Sequence, residues 1–283
     1  MRVLKTVAET RPAARALKAS GRKLGLVPTM GALHEGHLSL VRLAKKQCDA
    51  VAASIFINPK QFGPNEDFAQ YPRSFERDRQ MLEVEGVDLL FAPTVEEMYP
   101  QDSTTFVNAE GISERLDGAS RPGHFRGVTT VVSKLFHIVE PDRAFFGQKD
   151  AAQVAIVKRM VRDLDLPVEI VVGPIVREAD GLAMSSRNAY LDASQRKQAL
   201  VLFRALRAVE AQVDKRETNT NRLVNVAKQT FAEEPGARVD YIAVVDPDTL
   251  SPVDDVSKGA LIAVAAYVGR TRLIDNVVIP AKK

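Results

Sequence analysis

The 283-residue chain has a single cysteine and no tryptophan. One cysteine excludes an intramolecular disulfide and any zinc site built from several thiolates. That residue, Cys48, lies among Leu43, Ala44 and Val51, which reads as a buried structural thiol rather than a nucleophile. Aromatic residues reach only 6%, and the net charge of +3 comes from basic residues spread along the chain. Without a dense Lys/Arg stripe interleaved with aromatics, nothing points to nucleic acid as a partner. Long apolar runs are missing too: residues 260–268 are strand-sized, far short of a membrane span. Residues 1–10 lack the apolar centre of a secretory signal, so the expectation is a cytoplasmic protein without membrane contact.

What is present suits a folded enzyme. Hydrophobic residues make up 45% and charged residues 27%, enough to build a core, and the length suggests about two domains. Short apolar runs at 23–27, 51–57, 87–91, 144–146 and 168–172 alternate with helical patterns at 38–44, 75–85, 128–139 and 151–163. Strand and helix in alternation predict an α/β fold with a parallel, doubly wound sheet and right-handed crossovers. Strands apolar on both faces agree, because helices then cover both sides. Beyond residue 175 the pattern changes. Two amphipathic helices at 193–213 and 223–234 precede three strands at 239–245, 261–267 and 273–279. The expectation is one domain over 1–175 and a smaller α+β domain over 176–283, its sheet mainly antiparallel.

Polar, Gly- and Pro-rich clusters fall just beyond the predicted strands. They are Pro28-Thr29-Met30-Gly31, Asn58-Pro59-Lys60-Gln61, Gly147-Gln148-Lys149-Asp150 and Gly173-Pro174. Ligands of open α/β sheets bind outside the carboxyl ends of the strands, so these loops are expected to converge. The first continues into Ala32-Leu33-His34-Glu35-Gly36-His37, where a helix begins. A helix start offers unpaired N–H groups and a positive dipole end, which suit phosphate. Gly31 and Gly36 let backbone approach a ligand, and His34 and His37, three apart, share one face of the first turn. The segment is not a Walker loop, because His37-Leu38 stand where Lys and Ser/Thr are needed. No G-x-G-x-x-G fingerprint is present, and the zincin spacing H-E-x-x-H fails by one residue.

Other polar clusters are less decisive. Lys149 suits a phosphate contact, and Asp150 suits either a helix cap or an approach to magnesium. Met184-Ser185-Ser186-Arg187-Asn188 sets two hydroxyls beside a guanidinium, which fits pyrophosphate or an ordinary polar loop. Arg121-Pro122-Gly123-His124-Phe125-Arg126-Gly127 is a basic loop with the same ambiguity. His137, in an apolar helix, reads as structural. Asn58 and Gln61 are uncharged amides suited to a substrate's hydroxyls and carboxylate.

His34-Glu35-Gly36-His37 resembles the H-x-G-H motif of the nucleotidyltransferase superfamily. The ten residues from Pro28 to His37 are more specific and resemble the pantothenate synthetase (pantoate–β-alanine ligase) family. Four further blocks match that family in order: Ser54-Ile55-Phe56-Ile57-Asn58-Pro59-Lys60-Gln61-Phe62, the 121–127 loop, Phe146-Gly147-Gln148-Lys149-Asp150 and Ser185-Ser186-Arg187-Asn188. The run Arg272-Leu273-Ile274-Asp275-Asn276 matches as well.

The resemblance implies a magnesium-dependent, two-step reaction of pantoate, ATP and β-alanine within pantothenate and coenzyme A biosynthesis. It implies a Rossmann-like first domain, a smaller second domain closing over ATP, and a homodimer. It assigns catalysis to His34, His37 and Lys149. Met30, Gly31, Ala32, Leu33, Glu35 and Gly36 would line the nucleotide site with those histidines. Gly147, Gln148, Asp150, Val176, Met184, Ser185, Ser186 and Arg187 would line it with Lys149. Gln61, Gln153 and Asn58 would bind pantoate and β-alanine. No magnesium ligand is identified, and the polar segment 65–73 is expected to form a loop that closes over the adenylate.

Overall fold

The structure is a computed structural model that describes residues 1–64 and 66–281. Asn65, which begins the loop expected to close, lies outside the described residues. The chain divides into two compact units. The first comprises Met1–Gly147 and Ile156–Pro174, and the second comprises Gln148–Ala155 with the chain from Ile175 onward.

The first unit is built on six parallel strands with helices between them. In chain order these are β1 (Arg2–Leu4), α1 (Val7–Leu17), β2 (Leu24–Thr29), α2 (Glu35–Gln47), β3 (Ala50–Ile55), α3 (Phe75–Val84) and β4 (Leu89–Phe91). The short helices α4 (Val95–Met98) and α5 (Asp117–Ser120) follow, then α6 (His124–Val139), β5 (Arg143–Gly147), α7 (Ala151–Asp163), of which the residues from Ile156 belong to this unit, and β6 (Glu169–Gly173). The strands lie in the order β1-β4-β3-β2-β5-β6, every pair parallel. The fold is therefore the α/β, Rossmann-like doubly wound sheet that the alternating pattern predicts.

Chain order reverses between β2 and β5, so the topological switch point lies at the carboxyl ends of those two strands. Pro28 explains why the sheet can open there. Proline cannot donate to a ladder. The β2–β5 pairing stops at Leu26, and the rest of β2, through Thr29, pairs with β3. Leu24, Leu26, Val27, Ala52, Ala53 and Phe145 are wholly buried around this point. Each large apolar side chain so buried contributes about 1.5–3 kcal/mol.

Two departures from the sequence pattern have physical causes. Helix α1 and the edge strand β1 are not legible in it; α1 carries Pro12 in its interior, which reads as a breaker, yet Thr6 caps its start. Helix α6 begins at His124, four residues earlier than the apolar pattern places it. Part of the basic loop is thus its first turn, with Phe125 and Gly127 buried.

The second unit contains α8 (Ala193–Asp214), α9 (Thr220–Ala232), β7 (Ala237–Val245), β8 (Ala260–Val268) and β9 (Thr271–Ile279). Asp192 caps α8 through a capping box with Gln195, and Asn219 caps α9. β8 lies between β7 and β9, antiparallel to both. Leu202, Leu206 and Val209 of α8, with Leu223 and Phe231 of α9, bury one face of this sheet against Ile262 and Val264. Among the described residues no helix is long and apolar enough to cross a membrane.

Candidate active site

In the first unit the signature loop leaves β2 at Thr29, whose hydroxyl donates to the Ser54 carbonyl (2.7 Å) and accepts from the Gly31 N–H (3.2 Å). Gly31 has φ +82°, and Ala32 follows in the left-handed region at +50°. Glycine takes the first at no cost, but alanine does not, so something must hold the second. The holder is Asp78 of α3, whose carboxylate accepts from the N–H groups of Ala32 (2.7 Å) and Leu33 (2.9 Å). Asp78 is only 1% exposed and also accepts from the Ser74 hydroxyl.

The loop delivers His34 as the N-cap of α2. Its Nδ1 accepts from the Gly36 N–H (3.2 Å), while Nδ1 of His37 accepts from the His34 N–H (3.4 Å). The ring centroids are 4.1 Å apart. With both Nδ1 atoms accepting from backbone, each neutral ring carries its proton on Nε2. The arrangement is a pair of N–H donors at a helix start, where the dipole favours an anion. Glu35 is exposed and pairs with Arg42, whose hydrogen bond lowers the carboxyl pKa.

Asn58 and Gln61 lie on the turn after β3. Asn58 is 1% exposed and fully engaged. Its Nδ2 donates to Gln61 Oε1 and the Gly127 carbonyl (both 3.0 Å), and its Oδ1 accepts from the Lys60 N–H (3.2 Å) and the Tyr99 hydroxyl (2.9 Å). That is the full capacity of a primary amide, so Asn58 orients Gln61. Gln61 Nε2 in turn lies 3.1 Å from the sulfur of Met30, which brings the first two clusters together. Gly127 allows this packing, because a Cβ there would come 2.2 Å from the Lys60 carbonyl oxygen.

The 121–127 segment also works on Gln61. His124 Nδ1 contacts the Gln61 carbonyl at 2.8 Å, and its Nε2 faces the Arg121 guanidinium at 3.0 Å. Arginine can only donate, so Nε2 accepts and Nδ1 carries the proton. Burial, then the charge of Arg121, pushes the imidazole pKa down to about 4. Arg121 is paired with Glu66 at 2.5 Å.

In the second unit Lys149 sits on the tight turn Gln148–Asp150 ahead of α7, its Nζ 3.6 Å from Asp150. Val176 and Met184 are joined by backbone, the Met184 N–H donating to the Val176 carbonyl (3.0 Å). Ser185 caps the turn Ser186–Tyr190 by accepting from the Arg187 N–H, so these polar residues form one backbone feature. Asn188 ties the turn to Glu178 (2.7 Å). Beneath the segment, Arg177 forks onto Asp275 at 2.7 and 3.0 Å. Gln153 lies half-buried on the first turns of α7.

Asp78, Tyr99 and the contacts of Asn276 with the Lys149 turn (described below) carry no local sequence signal. In the sequence Asn276 belongs only to the family-like run Arg272-Leu273-Ile274-Asp275-Asn276. His137 is exposed rather than set in the core, its Nδ1 2.7 Å from the Ser133 carbonyl. Cys48 is half-buried, and burial pushes its thiol pKa up. Among the described residues no group of three or more His, Cys, Asp or Glu could hold a metal ion.

The chain is similar to known proteins over nearly its whole length. A family model described as pantoate-beta-alanine ligase matches residues 2–278. Relatives named pantothenate synthetase from Acidobacterium capsulatum and Koribacter versatilis are 63% and 59% identical, covering 99% of this chain and 97% of each relative. The crystal structure of pantothenate synthetase from Thermus thermophilus matches with a TM-score of 0.93 and 49% identity, over 98% of this chain and 99% of that one. A pantoate-beta-alanine ligase from Francisella tularensis, complexed with beta-gamma ATP and beta-alanine, matches at TM-score 0.81 and 35% identity, over 98% and 97%. Since the match spans both units and every polar cluster described above, the chain belongs to the pantoate–beta-alanine ligase family.

Proposed function

We propose that the chain joins pantoate to β-alanine at the expense of ATP, giving pantothenate, AMP and pyrophosphate by way of pantoyl adenylate. The observation that carries this reading is the His34–His37 pair at the start of α2, with both Nδ1 atoms turned back on the backbone. Two Nε2–H donors beside a helix dipole suit the charge that builds on an α-phosphate under attack. The named relatives support the choice of pantoate as the acid, and the complexed Francisella ligase supports ATP and β-alanine.

In the first step a pantoate carboxylate oxygen attacks the α-phosphorus, and the bond to the bridging oxygen breaks with loss of pyrophosphate. In the second, the β-alanine nitrogen attacks the acyl carbon, AMP leaves, and the ammonium proton passes to solvent. A carboxylate is a poor acyl donor, and AMP is a far better leaving group than oxide. His34 and His37 steady the phosphates in this reading. Lys149 meets the α-phosphate, and Ser185, Ser186 and Arg187 hold the β- and γ-phosphates. Gln61 and Gln153 grip pantoate, with Gln61 held by Asn58. Magnesium enters with the nucleotide's phosphates, its common mode in such sites. The assembly is taken as a homodimer, which sedimentation would test.

The deciding assay supplies ATP, pantoate and β-alanine and follows AMP and pantothenate. Equal amounts of both are expected, with pantoate-dependent exchange of pyrophosphate into ATP when β-alanine is withheld. A dinucleotide product, or ATP binding without pyrophosphate release, would overturn the proposal.

A further inference from the structure

We propose that Asn276 is a positioning residue for Lys149, acting through the backbone of the turn that carries it. The inference rests on the reading of Lys149 as the residue that meets the α-phosphate. Asn276 lies on β9 and is 3% exposed. Its Nδ2 donates to two successive carbonyls, those of Gln148 and Lys149, each at 3.0 Å. Its Oδ1 accepts from Gln148 Nε2, also at 3.0 Å. Two carbonyls on one side and an N–H donor on the other fix which way the amide faces.

The clamp is itself rigidly mounted. Asn276 is paired with Ala263 inside the β8–β9 ladder. Its own N–H donates to Asp275 Oδ1 (2.8 Å), and Asp275 is gripped by the two terminal guanidinium nitrogens of Arg177. A lysine ammonium is a point charge on a four-carbon stem, so its placement depends on where the backbone starts the stem. Asn276 supplies that start by fixing the carbonyls of Gln148 and of Lys149 itself. It touches no reacting atom in this role.

The test is a double-mutant cycle between Asn276→Asp and Lys149→Ala, read as pantoate-dependent ATP–pyrophosphate exchange. Aspartate keeps the shape but sets oxygen against two carbonyl oxygens. Exchange is expected to fall about a hundredfold through kcat, the scale of a 1 Å misplacement. The reaction of supplied pantoyl adenylate with β-alanine should hardly change. In the Lys149→Ala background the same substitution should cost almost nothing more, because both act on one interaction. A multiplicative loss in the double variant, or unchanged exchange in Asn276→Asp, overturns the positioning role. If Lys149→Ala alone leaves exchange intact, the reading of Lys149 falls first, which is a distinguishable failure. Should Asn276→Asp fail to fold, Asn276→Ser keeps a small neutral side chain and is carried through the same cycle with the same criteria.

Discussion

The two units hold their polar residues by different means. In the first, the signature loop grows out of a buried parallel strand, and His34 and His37 are set mainly by backbone, a helix cap and two positive-φ residues, with one buried side chain, Asp78, accepting from two loop N–H groups. In the second, the turn of Lys149 and the segment of Val176 are set by side chains from β9, the Asn276 amide and the Asp275 carboxylate. Backbone-set geometry follows from the fold and tolerates change around it. Side-chain-set geometry hangs on single residues. The comparison can be broken by asking whether damage in each unit stays of the kind its mounting implies.

The largest effect is expected at His37. Replacing it by alanine removes one donor from the pair and the Nδ1 acceptor of the His34 N–H, and leaves the rest of α2 in place. Loss of one such donor costs about a hundred- to a thousandfold. Pantoate-dependent exchange should fall by about a thousandfold with the circular dichroism spectrum unchanged. Exchange at the parent rate would remove His37 from the chemistry.

Next come two of the buried carboxylates, Asp275 and Asp78, which differ in what they oppose. Asp275 is 2% exposed and faces the Arg177 guanidinium, itself 25% exposed. Breaking such a pair from one side strands a charge, so Asp275→Asn should destabilise the second unit by about 3 kcal/mol. Asp78 faces neutral N–H groups and a hydroxyl. Asp78→Asn should cost the first unit about 2 kcal/mol, because the new NH2 group faces at least one N–H. Denaturant unfolding of each variant measures both. An Asp78 loss exceeding the Asp275 loss would mean that the strained Ala32 backbone, not the lost hydrogen bonds, dominates.

The same distinction decides what could be read without coordinates. The parallel sheet, the loops at strand ends and the antiparallel second unit were legible because periodicity and Gly/Pro punctuation are local signals. The signature residues were legible because a strand-to-helix junction concentrates them in ten positions. Asp78 was not: it sits in the run Arg73-Ser74-Phe75-Glu76-Arg77-Asp78-Arg79, where most charges face solvent and nothing marks the one that turns inward. Tyr99 and Asn276 act on residues 41 and 128 positions away, which no window contains. The basic loop was half legible, since its charges are plain but the buried face of α6 under them is not. The engagement of Asn58 was hidden for the same reason: an amide's spare capacity can be judged only once its partners are known.

The smallest effect separates the units by pH. All four histidines lie in the first unit. His124 is held neutral between Arg121 and the Gln61 carbonyl, with Glu66 and Asp117 the acidic groups acting on it, and its pKa is about 4. An unfolded chain binds that proton near pH 6.5, the folded one only near 4, so the unfolded state carries more protons between those values. Stability contributed by the neutral ring is therefore full above 6.5 and lost as pH falls to 4. Because the ring is partly open to solvent, the loss should be about 2 kcal/mol rather than the full linkage value. The second unit has no histidine. Depressed carboxyls there, among them Glu178 held down by the Arg196 hydrogen bond and Asp246 by the Thr249 N–H, contribute stability that fades only below their ordinary range near 4. Tracking unfolding against pH by probes in each unit should show the first unit weakening from pH 6.5 and the second only below about 4.5. His124→Gln keeps a donor for Gln61 and an acceptor for Arg121 but cannot titrate, and it should flatten the His124 part of that slope. A slope that survives the substitution would take the pH sensitivity away from His124 and the scaffold behind Gln61.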